Sequence, residues 1–200
     1  MSEAIIKQDT RILTPSEYEK LRAAMTAPYY PILCDALLLS GMRPIEFKRF
    51  KHEWYKASRR IISLPEGACM KDKCEFKERT INLSLAGCDA FDKLISTKVK
   101  FKGKEIPVIE RHPKKVSFND TLKRYAIAAG IGDDGIKPKM FRKTLVSWLV
   151  ACYPEKSLYI QASMGHSEDT IVGNYLGLGF TRDEIETMKK KYLMDWGERV

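Results

Sequence analysis

The chain has 200 residues, 44% of them hydrophobic, which suits one domain with a sizeable core. No apolar run approaches the roughly 18 residues that a membrane span needs, and the N-terminus lacks a signal-peptide pattern, so a soluble chain is expected. A formal net charge of +9 points to a polyanionic partner.

Residues 1–11 are polar and unpatterned and read as a flexible N-terminal arm. Thr14-Pro15-Ser16-Glu17 then starts a helix: Thr14 as N-cap, Pro15 at the first position and Glu17 closing a capping box. Tyr18, Leu21 and Met25 recur on one face of it. A second helix follows Pro28, and 32–39 is apolar nearly all round, as expected of a central buried helix. Gly41 closes that helix, and Pro44 suits the first turn of the next. Arg43 therefore stands at a helix N-terminus, where backbone N–H groups and a guanidinium can converge on a phosphate. Glu46, three residues on, is placed to hold the arginine or cap the helix.

From His52 to Leu85 the period changes. Glu53-Trp54-Tyr55, Arg60 to Leu64 and Arg79 to Leu83 are short β-branched or aromatic runs bounded by Pro65, Glu66 and Gly67, which predicts a three-stranded antiparallel sheet. Between its last two strands lies a basic loop containing Lys71, Lys73 and Lys77. Cys69 and Cys74 flank that loop without a matching Cys/His pair at metal-site spacing, so no metal is assigned. Cys34 and Cys152 lie in apolar helical patterns and read as small core residues, and the default is reduced, intracellular thiols.

A helix continues over 89–95. The stretch 97–115 holds seven Lys or Arg against two Glu and is broken by Gly103 and Pro107. It reads as a basic surface loop or short hairpin, with Lys98, Lys100, Lys102 and Lys104 either simply solvated or set against a DNA backbone. Helices are expected over 119–129, ending at Gly130, and over 139–152, with Phe141, Leu145, Trp148, Leu149 and Cys152 as the buried stripe. Lys139 and Arg142, three apart, share a face of the second, next to Lys143. Pro154 breaks it, and a helix over 155–164 ends at Gly165. His166 follows in the turn, Ser167 can cap a further short helix, and Tyr175 lies nine residues beyond the histidine. Past the glycine-rich 177–180, Thr181 caps an amphipathic helix over 182–196 whose Ile185, Met188, Tyr192 and Trp196 need a partner surface, on this chain or on a neighbour.

Arginine after a Gly turn, a basic-x-x-Arg helix start, then Gly-His and the spaced tyrosine: in that order the motifs resemble the catalytic domain of a tyrosine recombinase, the phage-integrase family. The resemblance runs from about Leu13 to about Tyr175 and implies an α+β, mainly α fold with a small three-stranded antiparallel sheet, residues 12–200 forming the catalytic domain. The second box usually opens with His, and Lys139 in its place resembles the integrases of archaeal viruses and plasmids. Such recombinases usually carry an N-terminal helical domain, so the chain is expected to be a catalytic fragment or a minimal protein.

What the resemblance implies is strand cleavage and rejoining on double-stranded DNA, by a cytoplasmic enzyme that self-associates on its substrate, as a tetramer in the synapse. Tyr175 would attack phosphorus and release a 5′-hydroxyl. Arg43 and Arg142 would clamp the non-bridging oxygens, His166 would hydrogen-bond the phosphate, and Lys139 would add a third clamp. The family's catalytic lysine sits on the sheet's hairpin, which implies Lys73 first, then Lys71 and Lys77; Arg79 matches the Lys-x-Arg that follows. With Lys71, Lys77 and Arg79, the lysines at 98, 100, 102, 104 and 143 are the expected DNA contacts. No cofactor, metal or ATP is required. The rival readings are a type IB topoisomerase and a DNA-binding module with a decayed active site.

Overall fold

The computed structural model describes residues 4–68, 78–111, 115–165 and 177–198. Its organising element is α2 (Tyr29–Ser40), whose Leu33, Cys34, Ala36, Leu37 and Leu38 are almost wholly buried. A helix apolar on nearly all sides can satisfy itself only in the middle of a bundle. It packs between α4 (Leu85–Ser96) and α6 (Met140–Cys152). Around it lie α1 (Pro15–Ala23), α3 (Pro44–Lys48), α5 (Lys115–Ala128) and α7 (Ser157–Met164). The start of α1 is as the sequence dictates: Thr14 accepts the Glu17 amide at 3.2 Å, and the Glu17 carboxylate accepts the Thr14 amide at 3.0 Å.

The three-stranded antiparallel sheet is present in the order β3 (Tyr55–Lys56), β4 (Ile61–Leu64), β5 (Arg79–Asn82). Ile62 pairs with Ile81, and both are fully buried on the inner face. The first strand is shorter than its aromatic run suggests, because His52–Trp54 coil into a 3₁₀ turn.

The N-terminus differs from the expected arm. β1 (Ile5–Lys7) and β2 (Thr10–Ile12) form an antiparallel hairpin, and β2 is buried throughout. The Arg11 amide donates to the Gly135 carbonyl at 3.0 Å, the Leu13 amide to the Thr144 hydroxyl at 3.0 Å, and Trp148 Nε1 to the Leu13 carbonyl at 2.9 Å. Gly135 is required for this approach: its φ is +69°, and a Cβ there would stand 2.5 Å from the Arg11 nitrogen. Arg11, polar in the sequence, is buried against Glu17 in an ion pair.

The basic stretch resolves as a hairpin, β6 (Lys98–Phe101) and β7 (Lys104–Pro107), turning at Lys102-Gly103, both with positive φ. The expected C-terminal helix is shorter than predicted. α8 (Arg182–Thr187) passes into a π-helical turn at Met188–Tyr192, and the segment packs on its own chain. Met188, Tyr192, Leu193 and Trp196 are buried, Tyr192 donates to Glu19 at 3.1 Å, and Trp196 Nε1 to the Asn82 carbonyl at 3.0 Å. Among the described residues, no helix is long and apolar enough to cross a membrane.

Candidate active site

Three segments distant in sequence meet at one guanidinium. α2 ends at Gly41 in the left-handed conformation (φ +60°, ψ 19°), which turns the chain so that Arg43 becomes the N-cap of α3. α7 ends the same way at Gly165 (φ +61°, ψ 54°). Arg142, on the first turns of α6, lies between these two helix ends with its residue only 7% exposed. One terminal nitrogen donates to the Gly41 carbonyl at 2.9 Å, and the other donates to the Met164 carbonyl. Both acceptors are carbonyls at helix C-termini, where the dipole is negative and acceptors otherwise lack partners, so a cation is favoured there. Arg142 thereby joins the Arg43 turn to the turn that precedes His166.

The join is tight. A Cβ on Gly41 would lie 2.8 Å from Met164 Sδ and 2.9 Å from Leu145 Cδ2, so α2, α6 and α7 approach as closely as glycine permits.

Arg43 is held as the sequence suggested. Its amide donates to Glu46 Oε2 at 2.7 Å, and its guanidinium to Glu46 Oε1 at 2.8 Å. The arginine side chain keeps 24% of its surface exposed, whereas Glu46 has none. Burial by itself would raise the Glu46 carboxyl. Hydrogen bonds and charge from Arg79, then the bonds from Arg43, outweigh that and hold it down at about 2.

Arg79 was expected on DNA, and its position does not suit that task. Its side chain is 7% exposed, and its terminal nitrogens grip both Glu46 oxygens at 2.7 and 2.6 Å. The signal was present in the strand alternation: Arg79 shares a face with buried Ile81, so it points inward. Lys143 likewise turns back onto its own chain, donating to the Lys7 carbonyl at 3.0 Å and to the Gln8 side chain at 3.1 Å. Burial, then the nearby charge of Lys139, lowers the Lys143 ammonium below its usual range.

Lys139 is exposed at the N-cap of α6, one turn ahead of buried Arg142. On the basic hairpin Lys98, Lys100, Lys102 and Lys104 are all exposed. The turn end of the hairpin is held back on the chain by Arg111, whose guanidinium lies 3.9 Å from the Phe101 ring centre and 4.9 Å from that of Tyr29. Lys71, Lys73, Lys77, His166 and Tyr175, together with Cys69 and Cys74, lie outside the described residues.

A model of the phage integrase family matches residues 11–182. The chain belongs to that family. The matched span includes Arg43, Lys73, Lys139, Arg142, His166 and Tyr175, so the whole set of expected catalytic positions falls within it. Solved structures agree with the architecture at the level of fold. The Tn1549 transposon integrase in complex with transposon right end DNA superposes with a TM-score of 0.61 at 16% identity, over 93% of this chain and 65% of that one. XerA recombinase gives 0.61 at 16% identity, over 94% and 66%. A lambda integrase dimer bound to a core site gives 0.61 at 16% identity, over 89% and 64%. The chain thus spans just under two thirds of the length of these structures. No curated protein matches it.

Proposed function

We propose that this phage integrase family member is a site-specific DNA recombinase, which cleaves and rejoins DNA strands through a 3′-phosphotyrosyl intermediate. The observation that carries the reading is the pair of hydrogen bonds that Arg142 donates to the Gly41 and Met164 carbonyls. This pair gathers the Arg43 turn, the α6 N-terminus and the end of α7, which hold or adjoin the residues that would meet the phosphate. Residues 12–200 act as the catalytic unit.

In this mechanism Arg43 and Arg142 supply positive charge to the non-bridging oxygens of the scissile phosphate, with Lys139 adding a third donor at the helix start. The Tyr175 oxygen bonds to phosphorus as the bond from phosphorus to the 5′-oxygen breaks. Lys73 protonates that leaving oxygen, and the phenol proton passes to water or phosphate. His166 hydrogen-bonds the phosphate. Because the phosphotyrosyl link retains the phosphodiester energy, the 5′-hydroxyl of a second strand reverses the step without ATP or metal.

The substrate is double-stranded DNA, on which further copies of the chain assemble as a tetramer in the synapse. Lys98, Lys100, Lys102 and Lys104 fit contacts to its backbone. An enzyme of this kind, with buried thiols at Cys34 and Cys152, fits the cytoplasm. The test is to incubate the protein with a nicked duplex carrying the target and resolve the products on a denaturing gel. A covalent adduct is expected that maps to Tyr175 and is lost in Tyr175→Phe, while DNA binding persists. An adduct on Tyr153, Tyr159 or Tyr192 would refute the assignment, and no adduct on any tyrosine would refute the function.

A further inference from the structure

Around Glu46 two guanidinium groups share one carboxylate. Oε1 accepts Arg43 at 2.8 Å and Arg79 at 2.7 Å, while Oε2 accepts the Arg43 amide at 2.7 Å and Arg79 at 2.6 Å. The three side chains together carry one net positive charge. A fully buried carboxylate facing a single guanidinium would instead neutralise it, since opposite charges at such short range in a poorly solvated site attract strongly. Arg79 is also bound to the end of α7. Its Nε donates to the Ser163 carbonyl at 3.3 Å, and its stem runs 3.2 Å from where a Cβ on Gly165 would be. The Asn82 amide donates to the Ser163 hydroxyl at 3.0 Å, a second tie between β5 and α7.

We propose that Arg79 is a positioning residue of the active site, which takes up the charge of Glu46 and leaves Arg43 a net positive field for the scissile phosphate. The inference rests on the recombinase reading above. Arg79 touches no reacting atom; it acts through Glu46 and Arg43.

The experiment compares two substrates for the full chain. Both are nicked duplexes, one with an ordinary scissile phosphodiester and one with a methylphosphonate there, in which a methyl group replaces a charged non-bridging oxygen. A neutral phosphorus centre has far less need of Arg43's charge. Arg79→Met takes the cluster from one net positive charge to none, so adduct formation on the phosphodiester should slow by roughly 10- to 100-fold, short of the ~10²–10³ that losing a direct donor costs. On the methylphosphonate the same variant should run close to the wild-type rate. The double variant Glu46→Gln/Arg79→Met restores the single positive charge and leaves no buried carboxylate, so it should recover most of the phosphodiester rate.

Equal slowing of Arg79→Met on both substrates would show a merely structural role and overturn the inference. Should that variant fail to fold, the double variant decides alone: near-wild-type cleavage of the phosphodiester supports the charge balance, and equal loss on both substrates overturns it. A wild-type chain that forms no adduct at all refutes the recombinase function itself, and is thereby distinguishable from failure of this inference.

Discussion

Replacing Gly41 by Ala tests whether the three helices must meet as closely as they do. Two costs add at this position. The left-handed backbone, φ +60°, disfavours an L side chain by about 1–2 kcal/mol. The new methyl would also stand 2.8 Å from Met164 Sδ and 2.9 Å from Leu145 Cδ2, both in fully buried residues, so overpacking should cost a further 1–3 kcal/mol or so. Alanine stiffens the unfolded chain and returns about 0.4–1 kcal/mol. Gly130 supplies the control, because its φ is +69° but a Cβ there meets nothing within 4 Å. The strain and unfolded-state contributions are common to both sites, so the difference between Gly41→Ala and Gly130→Ala isolates the packing term. Urea unfolding should place Gly41→Ala about 1–3 kcal/mol below Gly130→Ala with the same m-value. In a chain of this size that corresponds to a gap of roughly 2–12 °C in Tm. Because the Gly41 carbonyl accepts Arg142, Gly41→Ala should also slow adduct formation more than Gly130→Ala does. Equal stability of the two variants would refute the close packing on which the site's geometry depends.

The other expectations are narrower. Glu46 has its carboxyl depressed from an ordinary 4.5 to about 2, so its stabilisation is present above pH ~4.5 and is lost as pH falls towards 2. Acid titration of unfolding should show roughly 3 kcal/mol of pH-dependent stability over that window that is absent in Glu46→Gln; an unchanged profile in the variant would place the effect elsewhere. Changing Lys98, Lys100, Lys102 and Lys104 to Ala should weaken DNA binding and flatten the slope of log affinity against log salt by about 0.9 for each phosphate that is no longer neutralised; an unaltered slope means that the hairpin is only solvated. Lys143→Ala should speed amide exchange in the β1–β2 hairpin, since the ammonium holds the Lys7 carbonyl and Gln8, without changing the salt slope of DNA binding. A reduced slope in that variant would return Lys143 to the DNA-binding surface.

Several features were legible because local chemistry alone decides them. The Thr14 capping box, the left-handed ends at Gly41 and Gly165, and the Arg43–Glu46 pair all form within four residues of chain, from groups whose geometry the backbone presets. α2 was readable from its composition, and the β3–β4–β5 sheet from its alternation. The order of Arg43, Lys139, Arg142, Gly165-His166 and Tyr175 was enough to identify the family.

Where a polar side chain ends up was a matter for the tertiary structure. Arg11, Arg79 and Lys143 are as basic as any residue in the sequence, yet each spends its charge inside the chain, on Glu17, on Glu46, and on the Lys7 carbonyl with Gln8. Residues 1–11 read as an arm because the groups that hold Arg11 and the adjoining Leu13, namely Gly135, Thr144 and Trp148, lie more than 120 positions away. The sequence left the C-terminal segment's partner surface open, and in this structure its Tyr192 and Trp196 lie against Tyr18, Trp148 and Tyr153 of the same chain. Sequence spacing fixes caps, periods and motif order, because those energies come from neighbours along the chain. Charge pairing and docking surfaces depend on which distant groups the packed core brings within hydrogen-bond reach, and that is settled only when the helices have met.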